Sequence, residues 1–166
     1  ILHLVEFQFK QIGEFFGLHL PDPDTLTDLE PSARFYVEDN GENREVVAFV
    51  EQYRHAVEER DIGKLLHLAS RNYFDENGTP TGDDDLDYDG LSRSLATWQA
   101  RLLAVRYEIR YRRITFRDNG RVYVEMTYTS NFRYATPDGG RWERRLADHR
   151  MVLERDHGAF KILHGM

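Results

Sequence analysis

The chain has 166 residues, 40% hydrophobic and 13% aromatic, which is enough to build one sizeable core and excludes a disordered composition. It contains no cysteine, so disulfides, thiol nucleophiles and cysteine metal sites are excluded. Its net charge of −7 conceals an asymmetry: residues 1–90 hold 7 basic and 21 acidic residues (−14), and residues 91–166 hold 15 and 8 (+7).

That asymmetry has two readings. Either the acidic part packs near the basic part, both being solvated, or the basic half takes an anionic ligand or partner. Nucleic acid is not expected, because the arginines are dispersed over several predicted strands without a binding motif. No stretch approaches the ~18 apolar residues of a membrane span. Glu6, Lys10 and Glu14 interrupt the apolar N-terminus, which makes it a poor signal-peptide core. The compartment is not legible.

Residues 1–20 fit both a helical stripe and a strand-like alternation. Residues 21–42 combine Pro21, Pro23 and Pro31 with many acids and read as a linker. Residues 1–42 are therefore an N-terminal extension, and a periodic domain is expected over 43–166. Its first helix carries Val46, Phe49, Val50, Tyr53, Ala56 and Val57 on one face, with Asn43 as N-cap. A short second helix opens at Asp61 and presents Ile62, Leu65, Leu66 and Ala69. The third places Leu91, Leu95, Trp98, Leu102 and Val105 on one stripe.

After Val105 the period changes to two. Four antiparallel strands follow, with Asn119-Gly120, Gly139-Gly140 and His157-Gly158 read as two-residue hairpin loops. Loops of that length fix register. They set Ile109 opposite Ser130, Tyr107 opposite Phe132, Ser130 opposite His149, Tyr128 opposite Met151, Met151 opposite His164 and Leu153 opposite Ile162. One face then carries Tyr128, Phe132, Met151, Leu153 and Ile162, with a polar spot at Ser130, His149 and His164. The two histidines would be diagonal neighbours roughly 7–8 Å apart. Ile114, Phe116, Tyr123, Leu146, Val152 and Leu163 fall on the other face. There they form an association surface, unless a β-bulge returns some to the core.

Helix, short helix, helix and a long bent meander resemble the nuclear transport factor 2-like superfamily, including its SnoaL-like proteins. The resemblance rests on Val46–Arg60, on Asp61–Ser70, on the turn Tyr73-Phe74-Asp75-Glu76-Asn77-Gly78-Thr79, and on the closing stretch from Leu153 to Ile162. Phe160 stands where many members have tryptophan. The resemblance implies an α+β fold with three N-terminal helices packed on a curved antiparallel sheet that forms a cone. It also implies a cavity between sheet and helices, and dimers. Members include isomerases, dehydratases and cyclases beside non-catalytic binding domains, so the fold leaves the activity open.

His149 and His164 are the candidate catalytic residues, because imidazole trades protons near neutral pH. The alternative is that each is merely hydrogen-bonded at a strand end. Tyr53, Trp98, Tyr107, Tyr128, Ser130 and Phe132 are the candidate ligand-binding residues, with plain core packing as the alternative for Tyr53 and Trp98. No metal or cofactor is expected, as neither HxH nor HExxH occurs. Asp85-Leu86-Asp87-Tyr88-Asp89-Gly90 resembles half a calcium loop, but its twelfth position is Ala96, so Asp87 or Asp89 is expected to cap the third helix instead. Asp75 and Glu76 are expected to be solvated in their turn, the alternative being that these carboxylates face the cavity mouth. Three functions stay open. One is a small-molecule-binding domain. Another is a lyase or isomerase using His149 or His164 as general base, with Tyr128 or Tyr107 as donor. The third is a homodimerisation module working through the outer sheet face.

Overall fold

The computed structural model describes residues 37–76 and 85–166, so expectations for residues 1–36 and for the Asn77–Thr79 part of the turn lie outside it. Helix α1 spans Gly41–Glu59 and α2 spans Ile62–Leu68. Two short strands, β1 (Phe74–Asp75) and β2 (Leu86–Asp87), pair with each other, and α3 covers Tyr88–Arg101. A four-stranded antiparallel meander follows in the order β3 (Leu102–Phe116), β4 (Val122–Tyr134), β5 (Arg141–Asp156) and β6 (Ala159–His164). The fold class is thus the expected one, three helices packed on a curved sheet.

Each helix starts at a side-chain cap. Asn40, not Asn43, opens α1: its Oδ1 accepts the Asn43 N–H at 2.9 Å. The Asn43 side-chain amide in turn donates to the Glu38 carbonyl at 2.9 Å. Asp61 caps α2 through the Lys64 N–H (2.9 Å), and Asp87 caps α3 through the Gly90 N–H (2.8 Å). Helix α3 ends at Arg101. Leu102 and Val105 belong to β3, where their burial serves the sheet face.

The expected registers are corrected in three places. The β3–β4 turn closes on Arg117 and Arg121, whose N–H and C=O bond at 2.9 Å, around a three-residue loop with Gly120 at φ +77°. A bulge at Tyr111/Arg113 adds a second one-residue shift, so Tyr107 faces Ser130 and Ile109 faces Tyr128. The bulge also returns Ile114 to the inner face, where it packs on the core opposite Val124, whereas Phe116, opposite Val122, stays 43% exposed at the end of the strand. In the next hairpin, Pro137 has no N–H to offer a ladder, and the chain turns over Ala135–Gly140, closed by Tyr134 opposite Arg141. Ser130 therefore faces Arg145, and Met126 faces His149. The displacement is an even number of residues, so His149 keeps the expected face. The last hairpin has the expected His157-Gly158 loop and the Leu153–Ile162 pair. A bulge beside Val152 sets His164 opposite Val152 instead of Met151, and leaves Val152 only 8% exposed. The outer apolar surface is accordingly smaller than the sequence suggested.

Helix α1 guards the β3 edge. The Tyr107 N–H donates to Glu58 at 2.9 Å, its carbonyl accepts from Arg54 at 3.2 Å, and Arg60 reaches the Leu102 carbonyl at 2.6 Å. These bonds satisfy edge backbone groups that would otherwise be left bare. They also hold the α1 face carrying Tyr53 against the inner face of the sheet.

Candidate functional site

An aromatic ladder crosses the inner face from α1 to β5. Tyr53 meets Tyr107 edge-on with centroids 6.2 Å apart, Tyr107 stacks on Tyr128 at 5.2 Å, and Tyr128 meets His149 edge-on at 5.9 Å. Local sequence accounts for the spacing. Alternation puts Tyr107, Tyr128 and His149 on one face, and Tyr128 is paired with the small Ala147, which leaves room for the larger ring diagonal to it. The Tyr53 and Tyr107 phenols act on each other's ionisation. Burial pushes the Tyr53 phenol up to about 12 and raises Tyr107 and Tyr128 as well. At neutral pH all three are protonated and can donate.

Ser130 sits on the same face between Tyr128 and Phe132. It is 0% exposed, and its Oγ has no hydrogen-bond partner among the described residues. Almost every buried hydroxyl in a native protein is paired, so this one marks a place where a polar group from outside the described chain would be welcome.

His149 Nε2 lies 2.6 Å from the Gly165 carbonyl. A carbonyl only accepts, so Nε2 carries the proton and the neutral ring keeps its lone pair on Nδ1. Burial is the main cause that lowers its pKa, opposed by the Gly165 bond and by the charge of Asp75, while His164 lowers it further. The Gly165 backbone is at φ +86°, and a Cβ there would come within 2.5 Å of the Arg150 carbonyl. Glycine is thus required for the carbonyl to reach the imidazole.

His164, at the end of β6, donates from Nδ1 to the Phe74 carbonyl at 3.1 Å and lies 3.4 Å from Asp75 Oδ1. Asp75 is the site residue for which the sequence favoured the wrong one of two readings, solvation in the turn. It is 5% exposed, not solvated, and accepts from the Tyr73 hydroxyl at 3.2 Å. That hydroxyl in turn accepts the Met166 N–H at 3.2 Å. The available signal was the Phe74-Asp75 alternation of a short strand, masked by its turn-like neighbours. Glu76 is exposed, as expected of a turn. The structure thus gathers Tyr53, Tyr107, Tyr128, Ser130 and His149 into one cluster, with His164 beside it through Asp75. Trp98 and Phe132 are buried in the same core, Phe132 stacking on Tyr134 at 6.0 Å. Among the described residues no group of acidic or histidine side chains has the arrangement of a metal site, and no helix is long and apolar enough to cross a membrane.

No family model matches the sequence, and no curated protein matches it significantly. Solved structures do. A proposed scytalone dehydratase from Novosphingobium aromaticivorans superposes with a TM-score of 0.64 at 12% identity, over 75% of this chain and 80% of the other. A nuclear transport factor 2-like superfamily protein from Salmonella enterica gives 0.60 at 12% identity, over 74% and 86%. A proposed dehydratase of the same family from Streptomyces avermitilis gives 0.59 at 16%, over 74% and 92%. The chain has the nuclear transport factor 2-like fold; identities this low speak to the fold alone.

Proposed function

On that fold, we propose that the chain binds a small, mostly apolar molecule bearing a carbonyl or hydroxyl group, between the inner sheet face and the helices. The observation that carries the reading is the buried Ser130 hydroxyl, without a partner among the described residues, beside three protonated tyrosines and a histidine. Such a set offers donors to an oxygen atom and apolar ring surface to the rest of a ligand. Acetophenone tests it against ethylbenzene, a molecule of similar shape without the oxygen. Saturable NMR shifts at the Ser130, Tyr128 and His149 amides with acetophenone, much weaker with ethylbenzene and equalised by Ser130→Ala, are the expected result. Indifference to both molecules would sink the reading.

A second reading, a lyase or isomerase, is favoured by the state of His149. Its burial keeps the imidazole neutral, and the Gly165 carbonyl leaves Nδ1 as the basic atom. A base of that kind can take a proton from a carbon beside a carbonyl, while a tyrosine donates to the oxygen that gains charge. Loss of a hydroxyl group from the neighbouring carbon would then complete a dehydration. The two solved neighbours described as dehydratases motivate that choice of reaction. His164, oriented by Asp75, is the other candidate base.

A further inference from the structure

The outer face of the sheet is exposed, and part of its positive charge is unmatched. Arg106 and Arg144 flank Asn131 in one cross-strand row, and Arg110 lies four pairs along β3, with the exposed Glu108 between Arg106 and Arg110 on the same face. All three arginines are exposed, and none has a carboxylate partner among the described residues. Elsewhere on this face Arg112 pairs with Asp148 at 2.6 Å and Arg150 with Glu125 at 2.8 Å. Beside the unpaired row stands Trp142, opposite Arg133 and 51% exposed. A cationic row next to an exposed indole fits an extended acidic peptide that also carries apolar side chains.

The chain itself supplies one. Residues 21–30, PDPDTLTDLE, hold four carboxylates, no basic residue, and two leucines. We propose that this segment docks on the outer face of its own domain, its acids against Arg106, Arg110 and Arg144. The attachment point allows it. The start of α1 lies at the β5–β6 hairpin end, where Glu45 bonds Arg155 at 3.0 Å and Phe49 meets Phe160 at 5.7 Å. From Arg155 back to Arg144 along β5 is roughly 36 Å at ~3.3 Å per residue. The stretch between Asp22 and Val37 spans up to about 50 Å when extended. A second copy centred on this row is the poorer occupant, because a two-fold axis through the row would bring the arginines of both copies together.

The absence of cysteine makes the test direct. A nitroxide is attached to Thr27→Cys in the full chain, and paramagnetic loss of amide signal is mapped at about 50 mM salt, where screening is weak. Signal loss is expected at Arg106, Asn131 and Arg144. It should recover in about 1 M salt, in Arg106→Glu/Arg144→Glu, and in Asp24→Lys/Asp28→Lys. Three results would each overturn the proposal. One is an unaffected outer face. Another is signal loss indifferent to salt and charge reversal. The third is signal loss on unlabelled copies mixed with labelled ones, which would mean docking between molecules.

Discussion

Replacing Ser130 by alanine removes one buried oxygen and leaves its Cβ in place. If the hydroxyl has no partner in the folded protein, it gives up its bonds to water on folding and gains none in return, a cost of about 1–3 kcal/mol. The packing lost with one oxygen atom is small, on the order of 0.3 kcal/mol at the usual cavity cost. Ser130→Ala should therefore raise the unliganded protein's stability by about 1–2 kcal/mol, or a Tm gain of about 3–6 °C for a chain of this size. Urea unfolding followed by circular dichroism reads it as a higher midpoint at unchanged slope. The same variant should bind acetophenone no better than ethylbenzene. A more stable protein with a weaker oxygen preference is the signature of a polar group kept for a ligand. A loss of about 1 kcal/mol or more would mean that the hydroxyl is already paired in the native state, and the polar spot would then be structural.

Two further outcomes follow from His149 and its partner. With its pKa held below the ordinary 6.5, the folded state resists a proton that the unfolded state takes up. Its contribution to stability is complete above pH 6.5 and is lost as pH falls through the window down to the folded pKa, at up to about 1.4 kcal/mol per pH unit. His149→Gln can still donate to Gly165 but does not titrate, so the difference in unfolding free energy between the two proteins should vary across that window; parallel profiles would refute it. Gly165→Ala brings a Cβ to 2.5 Å from the Arg150 carbonyl at a positive φ and should cost about 2 kcal/mol. It should also expose the His149 Nε2 proton to rapid exchange, and an unchanged proton signal at wild-type stability would contradict the placement.

Local order was legible in the sequence wherever a local cause fixed it. The 3.6-residue stripe of Val46, Phe49, Val50 and Tyr53, the Asp61 cap and the positive-φ His157-Gly158 turn depend on neighbours in the chain, and the structure has all three. The face of His149 was legible too, because alternation along a strand survives any even shift in pairing. Partners across the sheet were not. A hairpin's closing pair depends on where the ladder stops, and Pro137 together with the loops at Gly120 and Gly140 moved it. The bulge at Arg112 and the one beside Val152 are likewise settled by packing: the first turns Ile114 toward the core, which strict alternation would leave on the outer face. The site follows the same division. The sequence singled out the tyrosines, Ser130 and the two histidines by residue type and face. Only the closure of β6 and its following residues onto β1 brought Asp75 and Tyr73 beside them, and set the Gly165 carbonyl against His149. Those contacts join residues about ninety positions apart with Tyr73 and Asp75, where no local pattern in the chain records the pairing.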